Sequence, residues 1–380
     1  MTKEHNQGTG PRPQGIPRRE FIKLAAVAGL LAGCRPVRQP EATPTSAPTD
    51  TPSPMPSPAP TSTPTTTPTT TPTATPTVMP TVAPPPEPGK VVRARHAGVW
   101  DGDTLVPEAI HQMLDGSITA LTGLNDATAA WASLFDPGER IAIKVNAFRN
   151  SVIWTHVPLV MAVTECLQKA GVPGEQIVIF DYYTSELKTA GYPLNQDGPG
   201  VRCYGTDSGY TSGWQIVGSD IQLSDVLLGC DALINIPILK SHTLAGISFA
   251  MKNHYGTLDK PSEFHYGAQI NRGMAELNAL PPIKNRTRLI IGDILEACLK
   301  SRQSYPYWRA DMTGDSIFMS FDPVAHDTAG LELFSQLLTD AGRNPGVATR
   351  LATPWLENGA ELGLGINDPD NIELVEVNLG

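Results

Sequence analysis

Cysteines are few in this sequence, and none is spaced for a local metal cluster. The five cysteines are Cys34, Cys166, Cys203, Cys230 and Cys298. Iron–sulfur and zinc sites built from one short segment need Cys-x-x-Cys or similar spacing. The chain therefore carries no iron–sulfur cluster motif, and we expect Cys166 and Cys230, which lie in apolar patterns, to be small buried residues.

Four familiar catalytic motifs are also missing. The sequence has no His-Glu-x-x-His, no Gly-x-Ser-x-Gly, no P-loop and no Gly-x-Gly-x-x-Gly turn. Zinc peptidases, α/β-hydrolases, P-loop nucleotidases and dinucleotide-binding enzymes depend on these motifs. None of these classes has support in the sequence.

Basic residues are too few for a nucleic-acid partner. Lysine and arginine number 28 against 38 acidic residues, for a formal net charge of −10. Binding to a phosphate backbone needs clustered Lys and Arg. We therefore expect no nucleic acid among the partners.

The N-terminal segment has the pattern of an export signal. Arg18 and Arg19 open a basic stretch that ends at Lys23, and an apolar run of about ten residues leads to Gly33 and Cys34. The run is too short for a bilayer-spanning helix. Arg-Arg-Glu-Phe-Ile-Lys closely resembles a twin-arginine signal, and Leu-Ala-Gly-Cys resembles a bacterial lipoprotein cleavage box.

We therefore predict that residues 1–34 form a signal peptide and that Cys34 carries lipid. The expected partners are the twin-arginine translocase, the lipoprotein-processing machinery and the membrane that holds the lipid. The expected location is extracytoplasmic, anchored to a bacterial membrane. An uncleaved N-terminal anchor is the alternative.

Residues 35–89 form a Pro/Thr-rich segment. Seventeen of the 36 prolines fall between Pro40 and Pro88, among threonines and serines with almost no large apolar side chains. Such a segment cannot bury enough surface to fold, and its prolines favour polyproline II. We predict a disordered linker that holds a folded part away from the membrane.

From residue 90 onward, apolar runs alternate with helical patterns. Continuous apolar strands separated by helices indicate an α/β sheet covered on both faces. We predict a single three-layer domain over 90–380 with a mostly parallel or mixed sheet, and expect residues 182–225 to be a loop or insertion. The predicted strands are 91–94, 141–146, 177–181, 232–236, 289–293, 317–322 and 372–377, with a helix over 157–170.

Polar residues follow several of these strands directly. In open α/β sheets, ligands bind outside the carboxyl ends of the strands, so we expect one shared site at that edge, although an Asp or Thr before a helix can equally be an N-cap. The predicted ligand-binding residues are Lys144, Asn146, His156 and Asn253. The predicted ligands of a divalent metal are Asp181, Asp293, Asp322 and His326.

Titratable side chains are densest between residues 240 and 256. Lys240 and Lys252 could hold an anion, and His242 and His254 could exchange protons or bind a metal; we predict these four as catalytic. Gly256 indicates that a helix ends there, which would release His254 into a loop.

An ordered set of motifs resembles a known family. The segments Ile-Lys-Val-Asn at 143–146, Asn-Ile-Pro-Ile-Leu-Lys-Ser-His at 235–242, Met-Lys-Asn-His-Tyr-Gly at 251–256, Phe-Asp-Pro-Val-Ala-His-Asp at 321–327 and Gly-Leu-Gly-Ile-Asn-Asp-Pro at 363–369 resemble domain of unknown function 362. The resemblance covers about 90–380. Members of that family often carry ferredoxin-type modules, which implies redox work, but this chain has no such module.

Two functions follow as hypotheses. The first is a membrane-tethered enzyme, metal- or cofactor-dependent, that performs redox or acid–base chemistry on an anionic small molecule. Asn146 at the end of a predicted strand and Thr155-His156 at the start of the next helix are also similar, over these few residues, to nickel-dependent lactate racemases. The second is a surface lipoprotein that binds a ligand without turnover.

Overall fold

The computed structural model describes residues 89–300 and 306–380. The predicted signal peptide with Arg18 and Arg19, the predicted lipidation site Cys34 and the predicted linker as far as residue 88 lie outside the described residues. Gly89 was predicted as the last linker residue. It is buried in the fold instead, and its N–H donates to Asp322 Oδ2 over 3.1 Å.

The folded part alternates strands and helices from end to end. The strands are β1 Lys90–His96, β2 Trp100–Asp101, β3 Thr104–Leu105, β4 Ile141–Lys144, β5 Ile177–Phe180, β6 Arg202–Cys203, β7 Tyr210–Ile216, β8 Ser219–Ser224, β9 Ala232–Asn235, β10 Ile238–His242, β11 Gly246–Ser248, β12 Thr287–Cys298, β13 Met312–Ser320 and β14 Glu373–Leu379. The helices are α1 Pro107–Thr122, α2 Ala127–Leu134, α3 Val157–Lys169, α4 Thr184–Thr189, α5 Asp225–Leu228, α6 Ala250–Asn253, α7 Ala268–Ala279, α8 Pro281–Lys284, α9 Pro323–Asp340 and α10 Gly346–Glu361.

One large mixed sheet organises these elements. Its strand order is β14-β1-β13-β12-β9-β4-β5-β6, and β10 branches from this row by pairing with the second half of β12 and with β11. Along the main row every strand runs in the same direction except β13, which is antiparallel to β1 and β12. The predicted mostly parallel or mixed α/β sheet is confirmed.

Alternate residues of the central strands enter two separate apolar cores. In β4, Ile141 and Ile143 pack with α1, α2 and α3 on one face, whereas Ala142 belongs to the other core with α7, α9 and α10. Successive strand side chains point to opposite faces, so a strand buried on both sides is apolar along its length, as β5 is and as β4 is before Lys144. Helix, sheet and helix form the three layers.

The observed elements follow the predicted ones in order, but several bounds differ and β10 and β11 were not among the predicted strands. The predicted strand 289–293 continues to Cys298, because its second half pairs with β10 and β13. The predicted insertion at 182–225 contains the β7–β8 hairpin. Only Ile216 is buried in β7, so that strand lacks the apolar alternation by which strands are recognised.

The four cysteines of the described residues, Cys166, Cys203, Cys230 and Cys298, are all buried and unpaired. Burial of Cys166 and Cys230 matches the expectation for small apolar-like residues. Within the same residues, no helix combines the length and the hydropathy needed to cross a membrane.

Asp322 lies at the opposite edge from the other predicted site residues, whereas His326, one turn into α9, is buried over Gly292 in the middle of β12. Because β13 is antiparallel to β12, its C-terminal end meets the edge at which the neighbouring strands begin. The expectation that all polar strand ends share one edge is therefore wrong for Asp322. The alternation of apolar runs contains no information on strand direction, so the sequence pattern could not place Asp322.

Asp322 has a structural part in this arrangement. Its carboxylate accepts the backbone N–H groups of Val324 and Ala325 in the first turn of α9, and those of Gly89 and Ile366 from the two ends of the described domain. One side chain thus caps a helix and joins three distant segments.

Replacing Asp322 by Ala should lower the free energy of unfolding by about 2–4 kcal/mol, because a cap costs about 1 kcal/mol and further buried N–H groups lose their acceptor. Urea unfolding measures this loss. Asp126→Ala is the matched control, since Asp126 caps α2 through one N–H only, and should cost about 1 kcal/mol. Equal losses in the two variants would contradict the structural role of Asp322.

Candidate functional site

The carboxyl ends of β4, β5, β9 and β10 bring most of the predicted site residues together. Parallel strands end at the same edge of a sheet, and the connections there supply polar side chains. The 3₁₀ turn His254–Thr257 directly follows α6. It lies over this edge on the face of the sheet that packs against α7, α9 and α10. The site is built from the strand ends and this turn.

A buried ion pair lies at its base. Lys144, 1% exposed, places Nζ 2.6 Å from Asp181 Oδ1 and also donates to the carbonyl of Val145. The second carboxylate oxygen of Asp181 accepts the N–H of Ala147 over 2.6 Å. Both oxygens of Asp181 are thus engaged by the protein, and the charge of Lys144 is balanced inside the fold.

Gly256 allows the 3₁₀ turn to lie directly on this pair. A Cβ at position 256 would come within 2.6 Å of Asp181 Oδ1 and 2.7 Å of Lys144 Nζ. The glycine that ends the Met-Lys-Asn-His-Tyr-Gly motif is therefore needed for close approach of the backbone to the ion pair.

Amide side chains connect the ion pair to the next lysine. Asn253 Nδ2 donates to Asn235 Oδ1 over 2.8 Å, and its Oδ1 accepts from Asn146 Nδ2 over 3.2 Å. Asn146 Oδ1 then accepts Lys240 Nζ over 2.6 Å. Because an amide has one acceptor end and two donor hydrogens, this chain fixes the orientation of Asn146 and directs its oxygen at Lys240.

His254 is buried rather than released into a loop, contrary to expectation. It begins the 3₁₀ turn, is 1% exposed, and places Nε2 3.3 Å from Asn235 Nδ2. Burial and the charge of Lys144 lower its pKa to about 3. His254 is therefore neutral near pH 7 and stabilises the amide network.

Lys240 and Lys252 are buried cations without an acidic partner in residues 89–300 and 306–380. They are 3% and 8% exposed, and neither takes part in an ion pair within that part of the chain. Lys252 Nζ lies 3.0 Å from His265 Nε2 and 4.5 Å from the ring centroid of Tyr255. A buried charge normally needs a counter-charge, so this pair is suited to bind an anion.

The environment lowers the affinity of both lysines for protons. Burial lowers the pKa of Lys240 to about 8, with Lys144 adding to the shift. Burial together with the charge of Lys240 lowers the pKa of Lys252 to about 7. Desolvation and a like charge both disfavour an ammonium group, so Lys252 exchanges protons near neutral pH.

Two histidines border the lysines as neutral rings. His242 Nδ1 accepts the N–H groups of Leu244 and Ala245, and its ring centroid lies 5.7 Å from that of His265. Burial and the charge of Lys252 lower the pKa of both rings, that of His265 to about 4. Because His265 Nδ1 contacts the carbonyl of Pro261 at 2.7 Å, that nitrogen carries the proton and Nε2 is free to accept from Lys252.

Trp308 forms one wall of the site. Its indole N–H donates to the carbonyl of Ser241 over 2.7 Å, which holds the ring within 6.0 Å of His242 and 5.6 Å of Lys240 Nζ. Phe148 packs edge-on to it and is 38% exposed. These rings could hold a flat part of a ligand, while the lysines hold its carboxylate or phosphate.

A second ionic group joins His156 to two carboxylates. His156 donates its backbone N–H to Asp293 Oδ2, and its Nδ1 lies 2.8 Å from the same atom, while Nε2 lies 3.4 Å from Glu296. Burial alone would lower the pKa of His156, but Asp293 and Glu296 overcome it and raise that pKa to about 10. His156 is therefore charged and fixes the start of α3.

The four predicted metal ligands do not come together. Asp181 is saturated by Lys144 and Ala147, Asp293 by His156 and by the N–H of Leu295, and Asp322 by backbone amides. His326 contacts Asp327 and lies with its ring centroid 4.4 Å from that of Phe249, in the core that also contains Met251 and Tyr255. Over the described residues, no group of three His, Cys, Asp or Glu side chains is arranged to hold a metal ion.

Sequence reasoning missed several residues that complete the site. The sequence predicts only a lid for the polar stretch that contains His265, and only a strand position for Asn235. Trp308 follows residues 301–305, which the structure does not describe, and had no motif around it. Loops far apart in the chain bring these residues together, and spacing within one segment cannot show that.

Comparison with known proteins identifies the family. The family described as Domain of unknown function (DUF362) matches residues 141–332. This chain belongs to the DUF362 family. The matched segment runs from β4 into α9 and contains both lysines and their partners, so the site described above lies wholly within the DUF362 region.

Similarity outside the family is remote. No curated protein sequence matches this DUF362 chain. A lactate racemase apoprotein from Thermoanaerobacterium thermosaccharolyticum aligns at 9% identity with a TM-score of 0.39, over 64% of this chain and 56% of that one. A protein from Thermotoga maritima aligns at 12% identity with a TM-score of 0.31, over 69% and 60% of the two chains. The chain thus spans less than two thirds of either protein, and neither likeness bears on its activity.

Replacing Gly256 by Ala should separate Lys144 from Asp181, because the added methyl group has no space above the ion pair. We expect a loss of unfolding free energy of about 1–3 kcal/mol, as for overpacked buried positions, measured by urea unfolding. Gly98→Ala is the control, because a Cβ there meets its nearest atom at 3.4 Å. If both variants were as stable as the unchanged protein, the close approach would be wrong.

The His156 ion pairs should stabilise the fold most below about pH 6.5 and progressively less as pH rises to about 10. An unfolded histidine loses its proton near about pH 6.5, whereas folded His156 retains it to about pH 10. Between those values the folded state binds more protons, so stability falls as pH rises. His156→Gln should therefore cost more stability at about pH 6 than at about pH 10.

Urea unfolding of both proteins at the two pH values measures this difference. His96→Gln is the control, because His96 contacts the neutral amide of Gln112, and its effect should be alike at both pH values. A His156→Gln cost that stays constant with pH would show that the ion pairs do not hold the proton.

Proposed function

We propose that this DUF362 protein is an enzyme that binds a small anionic molecule at Lys240 and Lys252 and performs acid–base chemistry on it. One observation carries the proposal: Lys240 and Lys252 are buried at the carboxyl edge of the sheet, the charge of Lys240 acts on Lys252, and neither lysine forms an ion pair with a described residue. Ligands of α/β sheets bind at this edge. An anion would supply the missing counter-charge.

Proton transfer is the chemistry that the surrounding groups favour. A general acid or base works best with a pKa close to the operating pH, and Lys252 at about 7 meets that condition. Lys240, held on Asn146 Oδ1, would orient the acid group of the ligand. Lys252 would accept or donate the proton, with the neutral ring of His265 beside it.

The cellular location is part of the proposal. The twin-arginine pattern at Arg18 and Arg19 and the lipoprotein box at Cys34 support an exported protein anchored by lipid. The Pro/Thr-rich segment of residues 35–88 would then separate the enzyme from the membrane. Substitution of Cys34 followed by membrane fractionation tests this part independently.

A binding lipoprotein without turnover is the second candidate, because the same unpaired lysines would also favour simple capture of an anion. Solvent deuterium exchange separates the two. We would incubate the protein in heavy water with small 2-hydroxy and 2-oxo carboxylates and follow their C–H signals by NMR. Exchange supports the enzyme, and binding without exchange across the panel favours the binding protein.

Sulfate should bind to the lysine pair and lose affinity as pH rises. Sulfate keeps its charge, whereas Lys252 and Lys240 lose theirs as pH rises through about 7 and about 8. Removing a charge-assisted contact costs about 1.5–3 kcal/mol, so Lys240→Met and Lys252→Met should each weaken binding about 10- to 100-fold. Calorimetry at about pH 6.5 and about pH 9 measures both effects.

Lys169→Met is the matched control. Lys169 is exposed in the last turn of α3, and α3 starts at the site edge and ends at the opposite one, so sulfate binding should be unchanged. Absence of sulfate binding to the unchanged protein, or equal binding in all three variants, would refute the proposed anion site.

A further inference from the structure

Beyond holding an anion, the site has the arrangement of an amine nucleophile. Lys252 Nζ donates to a neutral imidazole nitrogen and has no carboxylate partner among the described residues. A carboxylate would hold a lysine in the ammonium form, in which the nitrogen has no lone pair to offer. An imidazole acceptor does not, so Lys252 is the lysine of this site that geometry leaves able to attack.

The neighbouring cation completes the arrangement. Lysines become nucleophilic when they are desolvated or lie beside another cationic group. Lys252 meets both conditions, since it is 8% exposed and Lys240 lowers its pKa. Lys144 is equally buried but is bound to Asp181, so the same chemistry is closed to it.

We propose that Lys252 forms an imine with the carbonyl carbon of a small oxo acid whose carboxylate is held by Lys240. This inference rests on the proposed anion site and names its substrate class. A carbonyl compound without an acid group would lack the contact to Lys240 and should react more slowly.

The step balances with groups already present. The lone pair of neutral Lys252 attacks the carbonyl carbon, a C–N bond forms, and the carbonyl π pair moves to oxygen. His265 Nε2, 3.0 Å from Lys252 Nζ, takes a proton from the nitrogen and returns it to that oxygen. The second proton on the nitrogen then passes through His265 Nε2 to the hydroxyl group, the nitrogen lone pair forms the C=N bond, and the C–O bond breaks with loss of water. Amine and carbonyl thus give imine and water with no oxidant or reductant.

His265 is suited to this transfer by its second contact. Its Nδ1 faces the carbonyl of Pro261 at 2.7 Å, which fixes the tautomer and keeps Nε2 directed at Lys252. Part of the shift that makes His265 a weak base comes from the charge on Lys252. That part disappears once Lys252 is neutral, so His265 becomes a better proton acceptor when the step requires it.

Reductive trapping tests the proposal on the full chain. The protein is incubated with glyoxylate and cyanoborohydride near neutral pH, digested, and analysed by mass spectrometry, so that an imine is recorded as a carboxymethyl group on a named lysine. An ordinary lysine is neutral in well under about 1% of molecules at pH 7. We therefore expect Lys252 to be labelled about 100-fold faster than exposed Lys169.

Two comparisons sharpen this result. Acetaldehyde, which lacks the carboxylate, should label Lys252 at least about tenfold more slowly than glyoxylate, as expected for one lost ionic contact. Lys252→Arg should show no rapidly labelled lysine at all, and a melting curve establishes that this variant is folded. Rapid transfer of the label to Lys240 in that variant would contradict the assignment of the nucleophile.

Failure of this inference can be told apart from failure of the anion site. If the unchanged protein binds sulfate but labels Lys252 no faster than Lys169, the imine proposal is wrong and the anion site stands. If sulfate does not bind, the anion site itself is wrong. Rapid labelling of Lys252 with no preference for glyoxylate over acetaldehyde would overturn the role given to Lys240.

Discussion

The ion pair between Lys144 and Asp181 is the interaction on which the site depends. It satisfies a buried charge at the end of β4, and through Ala147 it fixes the chain that leaves that strand. The 3₁₀ turn rests on it because residue 256 has no side chain. Breaking a buried pair leaves one charge uncompensated, which costs more than the pair itself contributes.

The position of the 3₁₀ turn on this ion pair also determines the positions of the amides that contact Lys240. Asn253, directly before the turn, contacts Asn146 and Asn235, and Asn146 directs its oxygen toward Lys240. Each amide uses a donor and an acceptor, so reversing one of them would leave two contacts unmade. The ion pair and the amide side chains thus determine the geometry around Lys240.

Three buried lysines show how partners divide structural from chemical roles. Lys144 contacts a carboxylate, Lys240 an amide oxygen and Lys252 an imidazole nitrogen. These partners favour the ammonium form to decreasing degrees, because only the first carries a full opposite charge. Residue type and burial are the same in all three, so function here is decided by the contacting atom.

Much of the fold could be predicted from the sequence, because apolar runs such as Ile141–Lys144 and Ala232–Asn235 must be buried on both sides of a sheet. Of the residues predicted from the polar strand ends and the following segment, Lys240, Asn146 and Asn253 contact one another in the structure. Strand direction could not be predicted, since β13 is as apolar as its parallel neighbours. Asp322 was therefore assigned to the wrong edge.

The side chains that contact each buried lysine could not be predicted from the sequence either. Lys144 at the end of β4 meets Asp181, and Lys252 in α6 meets His265. The sequence around each lysine does not show which partner it contacts, because the partner lies on a different element. The apparent metal set shows the same limitation: Asp181, Asp293 and Asp322 are all carboxylates after apolar runs, yet each is saturated by different neighbours.

Two strands of the large sheet lie outside the region that matches the DUF362 family. The DUF362 match over residues 141–332 includes every residue of the lysine site. Strands β1 and β14 lie outside the match. Those flanking strands pair on the far side of β13 and are joined to α9 through Asp322. They extend the sheet away from the lysines, so they can support the fold without contacting the ligand that we propose.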